Sequence, residues 1–482
     1  MNYEEVIAKK DAEIAYLKAE IAQLRKLVFG SKRERFVKQQ PDVRQLSLFG
    51  EEDFSVPQET PEEEKETITY DRKKPSKPHP GRNEIPAHFP VETIEIAPEV
   101  DITGMVRVGE EITRIVKYTP LAFVILEIIR PKYAPAGKEG SFVIGELPPR
   151  ALPKSIASES LLTYLLVRKF VEHMPFYRQI QSLKREHNWE LPSSTLNDWF
   201  ASVCTLLEPL YELMKQKVLE SGYVQADESP IKVQDSDKKG STHQGYMWVY
   251  HSPEKGLVYF NYRKGRGEYG PKEVLGKYTG LLQCDGYTVY DKIGARPGIT
   301  LAGCMAHLRR YYYKAKDSDK ERSTYALKQF GRIYDTEAML KDMTTDQRKE
   351  QRELRIMPVI KELKDWVDEQ SYKVLPQSPM GKAMKYTHQQ WPKLMKIFED
   401  GRFELDNNLI ENKIRPLALG RKNYLFAGSH DGAQRIAMMY SFFGSCAANN
   451  VNPSEWLQSV LEKINDTKMN NLDNLLPHQF RM

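Results

Sequence analysis

Apolar residues Ile7, Ile14, Ile21 and Val28 recur every seven positions, with Leu17 and Leu24 interleaved and charges on the other faces of residues 1–36. That spacing predicts a coiled-coil helix and hence self-association. From 37 to 96 the pattern lapses. Glu51–Glu66 is acidic, Lys73–Pro90 is rich in Pro and basic residues, and few large apolar side chains offset chain entropy, so this stretch reads as a linker. Alternation returns in 97–150, where Thr113–Tyr118 and Leu121–Pro131 read as paired strands of a small β module, with Pro120 at the turn. Residues 151–220 switch to helical periodicity over Ser158–His173, Tyr177–His187 and Leu196–Leu219, the last led by Pro192-Ser193-Ser194-Thr195 as a cap. This arrangement suits a helix-turn-helix reader and an all-α connector equally.

Beyond Gly222 the runs shorten. Gly222–Asp227, Tyr246–Tyr250, Leu257–Tyr262 and Leu281–Asp285 read as strands, and Cys304–Lys314 as a helix. A helix is predicted again just after Asp406, Asn407 and Asn408, all good capping types, with Leu409, Ile414 and Leu417 facing a core. The span from 285 to 411 is far longer than a direct connection needs. Lys320–Lys341, Asp346–Glu369 and Met380–Phe398 fill it with charged helical sequence, predicting an α-helical insertion at about 316–400. A helix around Ala433–Cys446 closes a unit over 221–446, and a tail, 447–482, follows. The fold class is therefore multidomain, mixed α+β and α/β.

A chain of 482 residues has room for three or more domains. Its 71 Lys and Arg against 66 Asp and Glu leave a net charge of only +5, so polyanion binding must rest on local patches. The longest apolar run, Leu121–Leu126, stops at Glu127, which excludes a membrane span there, and the charged N-terminus offers no export signal. Cys204, Cys284, Cys304 and Cys446 are scattered, as in a cytosolic protein with reduced thiols.

Candidate chemistry lies in three places. Two strand-like runs each end in an acid, Asp227 and Asp285, and Glu411 stands in the helix after Asp406 with Arg415 four residues on. Carboxylates among cations suit metal ions and phosphates. Two strands that each deliver an Asp and a helix that delivers a Glu is the layout of a ribonuclease-H-like nucleotidyl-transfer site. The stretches QADESPIKV (225–233), YRKGRGEYGPKEVLGKYTGLLQCDGYTVYD (262–291), GCMAHLRRYYYKA (303–315) and DNNLIENKIRPLALGRKNYLFAGS (406–429) resemble the insertion sequence 66 family of transposases, DDE-type enzymes.

The resemblance implies metal-dependent cleavage and strand transfer of element ends with two Mg²⁺ (or Mn²⁺) ions. Asp227 would bridge them, while Asp285 and Glu411 would each hold one. Glu228 and Asp291 are the nearest rival ligands. Arg309, Arg310, Arg415, Arg421 and Lys422 would hold phosphates, and His307 would do so or move a proton. The loop Arg263-Lys264-Gly265-Arg266-Gly267 would add contacts. The implied partners are terminal inverted repeats, target DNA, further copies of the chain and accessory proteins of the same element, in the bacterial cytoplasm and nucleoid. Such relatives usually carry a small zinc module near 97–150. Pro98, Glu99, Val100, Pro135, Ala136 and Gly137 stand at the corresponding places, no cysteine precedes Cys204, and His79 and His88 cannot close a tetrahedral site, so no structural zinc is expected. Rival readings are an inactive DNA-binding or assembly protein descended from a transposase, and a metal-dependent nuclease that only hydrolyses. A glycosidase using two of the acids fits the surrounding cations poorly.

Overall fold

The computed structural model describes residues 85–119, 122–135, 142–234 and 240–481. The predicted coiled coil over 1–36, most of the linker, and Pro120 lie outside the described residues. Contacts divide the chain into Met1–His79 and Pro80–Met482, and everything described falls in the second unit.

A small sheet comes first. Strands β1 (Val91–Glu95), β2 (Met105–Thr119), β3 (Ala122–Pro135) and β4 (Val143–Ile144) are ordered β1-β3-β2, with β4 also on β3. The predicted hairpin is present, longer than its apolar core, with Tyr118 opposite Phe123. Strand β1 lies within the stretch read as linker. Its side chains are all exposed, so backbone bonding to the parallel β3 edge holds it, and hydrophobic pattern could not signal it.

Helices α1 (Glu159–Phe170), α2 (Phe176–His187) and α3 (Ser193–Leu219) follow. Ser158 caps α1 by accepting from Leu161 N at 3.2 Å. Pro192 stands at the N-cap of α3, and no side chain caps it, contrary to the expected Ser/Thr cap. Its buried Leu196, Trp199, Val203, Leu207, Leu210, Met214 and Val218 recur at helical spacing and give the helix one core-facing stripe.

The second sheet has the order β7-β6-β5-β8-β9. Strands β5 (Tyr223–Gln234), β6 (Thr242–Ser252) and β7 (Leu257–Arg263) form an antiparallel meander, and β8 (Gly280–Gln283) and β9 (Ile299–Ala302) continue it in parallel. Helices α4 (Tyr269–Leu275), α5 (Val289–Gly294) and α6 (Met305–Lys314) lie between and after these strands. The insertion follows as α7 (Lys320–Met339), α8 (Thr345–Gln351), a π-helical turn (Arg352–Ile356), α9 (Met357–Ser371) and α10 (Pro379–Lys396). Its buried Phe330, Ile333, Leu363 and Met384 share one core with Leu308 and Tyr312 of α6. The stretch Asp346–Glu369, read as one helix, is broken at the π turn, where Arg352 is drawn into the interior.

Helices α11 (Asn408–Tyr424), α12 (His430–Ala448) and α13 (Pro453–Lys463) complete the fold, with a 3₁₀ turn at Met469–Leu475. Helix α12 closes the β7 edge. Gln434, Ser441 and Ser445 accept from the amides of Tyr262, Phe260 and Val258 at 3.2, 2.8 and 2.8 Å, replacing the neighbour strand that β7 lacks. Among the described residues no helix is long and apolar enough to cross a membrane.

Candidate active site

Strands β5 and β8 run in parallel, with Gln225 in register with Gln283. Each Gln is followed two residues later by an acid, Asp227 and Asp285. The two acids therefore stand at the same level, where β8 stops and β5 continues towards Gln234 paired only with β6. The glutamines are buried and fix that level. Gln283 Oε1 accepts from Tyr223 Oη at 2.5 Å and from Gln225 Nε2 at 3.1 Å, while Gln283 Nε2 donates to Gly303 O at 3.1 Å and Glu404 O at 2.7 Å. Sequence reasoning passed over both glutamines, although the repeated Gln-x-Asp was there to be seen.

Glu411 is delivered by α11. Asn407 is the N-cap residue, but its side chain turns away from the helix and donates to Ala226 O at 3.1 Å, beside Asp227. The local bonding falls to Asp406, whose Oδ1 accepts from Asn408 N at 2.9 Å and whose Oδ2 accepts from Tyr334 Oη at 2.9 Å. Glu411 N then donates to Asn407 O at 3.1 Å, so one helical turn separates the pinned residue from the third acid.

The three carboxyls sense one another. Burial pushes Asp227 well above the usual Asp range, and repulsion from Asp285, Glu228 and Glu411 adds to it. Glu411 is raised by burial, with Arg310 opposing and Asp406 and Asp285 reinforcing. Glu228, its side chain 3% exposed, is pushed up to about 7 by burial and by Asp285. Among the described residues no three His, Cys, Asp or Glu side chains already form a compact metal-holding group.

The two rival acids have partners of their own. Glu228 Oε1 accepts from Arg266 Nε and Nη2 at 2.9 and 2.6 Å, and Tyr290 Oη reaches its Oε2 at 3.4 Å. Asp291 is ion-paired with Lys393 of α10. Tyr287, unnoticed in the sequence, donates its amide to Asp285 Oδ1 at 2.9 Å while its ring lies 4.3 Å from the Arg266 guanidinium.

The cations divide. Arg310 Nη2 lies 3.8 Å from Glu411 Oε1. Arg309, Arg415, Lys422 and Lys264 are exposed. His307 is half-buried, not the exposed cation expected; burial lowers its pKa, with Asp285 opposing. Three predicted phosphate contacts are engaged within the protein. Arg263 pairs with Glu273, Arg266 with Glu228, and Arg421 donates to Ser229 Oγ at 3.1 Å and to Pro230 O, tying the last turn of α11 to β5.

These raised carboxyls give a pH test. A native pKa above the unfolded value destabilises the fold as pH rises from about 4 towards the raised value, here about 7 for Glu228. His307 acts oppositely, removing stability below about 6.5. In EDTA, the melting temperature of Asp285→Asn should gain on that of the wild type between pH 5 and 7.5. A constant difference across that window would show that the acids do not interact.

Residues 154–435 match the family described as Transposase IS66. Residues 16–94 match a segment described as Transposase C of IS166 homeodomain, and 441–478 the IS66 C-terminal element. Uncharacterized protein y4jD of Sinorhizobium fredii is 27% identical over 96% of this chain and 94% of its own length. Uncharacterized protein y4qI of the same strain is 30% identical over 85% of this chain and 79% of its own length. With one family matched across most of the sequence, the chain belongs to the IS66 transposases.

Proposed function

We propose that this transposase is of the DDE type and that Asp227, Asp285 and Glu411 are its catalytic carboxylates, on a ribonuclease-H-like unit. The carrying observation is the register of Gln225 with Gln283, which sets two Asp residues side by side, together with the Asn407 bond to Ala226 that brings Glu411 to them. Three antiparallel strands extended by two parallel ones, with the acids where the central pair parts, support that reading.

The donor set is hard oxygen only, and mutual repulsion among half-buried carboxyls is what a bound divalent ion would relieve. Asp227, Asp285 and Glu411 are the residues that would hold two Mg²⁺ or Mn²⁺ ions. Bound there, the ions would supply Lewis acidity to the phosphoryl oxygens and a more acidic attacking hydroxyl or water. The chain's own residues do the rest. Arg310 holds Glu411 in place, Tyr287 fixes Asp285, and His307, neutral at physiological pH, is able to accept a proton beside Asp285. Arg309, Arg415, Lys422 and Lys264 are left to meet phosphates. Self-association through 1–36, accessory proteins of the element and action at the nucleoid belong to the same proposal.

Incubation with supercoiled donor DNA carrying paired element ends, target DNA and Mg²⁺ should give joined donor–target products. Cleaved ends without joining would identify a hydrolytic nuclease, and neither product an inactive descendant. Binding should weaken steeply and log-linearly with added salt.

A further inference from the structure

Helix α11 ends in an unusual turn. Leu425 adopts φ +67° and ψ −48°, and Phe426 N donates to Tyr424 O at 2.8 Å, closing a γ-turn of positive φ. This backbone region is natural for glycine and strained for leucine. Burial does not explain the choice of residue: Leu425 is 66% exposed and Phe426 42%.

The turn is also held firmly. Behind it, Arg421 is bonded to Ser229 and Pro230 of β5. Ahead of it, Ala427 N donates to Lys232 O at 2.9 Å and Gln234 N to Ala427 O at 2.8 Å, a parallel bridge onto the same strand. Two apolar side chains thus project from a clamped, strained tip near the exposed Lys232 and Lys422. Strain of this kind persists where the surrounding structure over-determines it, and such positions cluster at sites that contact ligands.

We propose that Leu425 and Phe426 form an apolar wedge that enters the stacked bases of element-end DNA about six base steps from the scissile phosphate. The proposal rests on the transposase site described above. The helix and strand that carry Glu411 and Asp227 also carry the wedge. At about 1.5 Å per residue, α11 climbs about 21 Å from Glu411 to Leu425. At about 3.3 Å per residue, β5 advances about 20 Å from Asp227 to Val233, the partner of Ala427. The agreement between the two paths puts the tip some 20 Å from the acids, or about six steps of about 3.4 Å along a strand. Leu and Phe are the residue types that wedge between base pairs, and neighbouring lysines meet the phosphates on either side.

The test uses the full-length chain in EDTA with duplexes carrying the element's terminal sequence and 2-aminopurine at successive positions. Bound wild-type protein should brighten 2-aminopurine at one or two adjacent positions about six steps from the cleavage point. The variant Leu425→Gly/Phe426→Ser should bind within about threefold, lose the brightening, and cleave about tenfold or more slowly in Mg²⁺. Its melting temperature should not fall, because glycine relieves the turn; Met339→Ala, an equally exposed apolar change on α7, should alter none of these readings. Uniform fluorescence in a bound, cleavable duplex would overturn the wedge while leaving the transposase reading intact, as would full cleavage by the double variant. A lower melting temperature in the double variant would mean a packing role and would also overturn it. If the wild type binds no such duplex, the transposase reading falls and the wedge falls with it.

Discussion

Asp227→Asn, Asp285→Asn and Glu411→Gln should each lower strand cleavage by on the order of 10³-fold or more, since a lost ligand forfeits several kcal/mol of charge stabilisation in the transition state. Each replacement keeps the shape and removes only the charge. Affinity for element ends should stay within a few-fold, or improve, because a negative group near phosphate has gone. Glu228→Gln is the discriminating companion. Glu228 is already neutralised by the two-pronged Arg266 contact, so its replacement should slow cleavage far less than the other three. Gel-shift titration and single-turnover cleavage of labelled ends measure both quantities. Undiminished cleavage in any of the three would remove that residue from the site, and a loss at Glu228 as deep as that at Asp227 would reassign the ligand on β5. Arg310→Ala is expected to resemble Glu411→Gln in part, because it frees the carboxylate from its cation.

The strands that carry Asp227 and Asp285 were legible because local signals and tertiary structure agree. A short apolar run leading into Gln-x-Asp occurs twice, and parallel pairing of the two runs sets the acids at one level, although β5 continues past its acid to Gln234. The helix carrying Glu411 was legible from its periodicity, but its attachment was not: Asn407 reads as a cap and serves as a tether to β5. Charge alone misled more often. Arg263, Arg266 and Arg421 look like phosphate ligands in sequence, yet each meets an acceptor supplied by another element. Nothing within a helical or loop pattern reports such a partner. His307 shares a helix with exposed cations and is half-buried beside Asp285 because α6 packs between the sheet and the insertion. The π turn at Arg352 was hidden for a related reason, since the partner its buried side chain meets, Glu337, lies on another helix.

Replacing Glu337 by Gln should cost about 3–5 kcal/mol of stability, the largest effect expected away from the acids. Arg352 is fully buried, and Glu337 is the carboxylate that answers it. Arg352 Nε and Nη2 donate to Glu337 at 2.9 and 2.6 Å, and Arg348 Nε donates to the same carboxylate at 2.8 Å. With Gln in place, Arg352 keeps that residue's one amide oxygen, Phe403 O at 2.8 Å and Ile397 O at 3.4 Å as acceptors, but the buried charge loses its counter-charge. Arg348 retains Glu404 at 3.1 and 2.9 Å and is less affected. Burial alone would raise the Glu337 pKa, but the two guanidinium groups prevail and hold it below the ordinary value. A depressed native pKa adds stability above the unfolded value of about 4.3 and loses it as pH falls through the native one. Urea unfolding should therefore show the wild-type advantage over Glu337→Gln at pH 7 and its shrinkage towards pH 3. The double variant Glu337→Leu/Arg352→Met should recover part of the loss, since it leaves no charge behind. Arg352 and Arg348 also bond Phe403 and Glu404, two to four residues before Asp406 and Asn407 at the start of the helix that carries Glu411. Cleavage by folded Glu337→Gln, assayed well below its melting temperature, should accordingly fall as well. Stability within about 0.5 kcal/mol of wild type would show that this buried network neither holds the insertion to the sheet nor sets the start of α11.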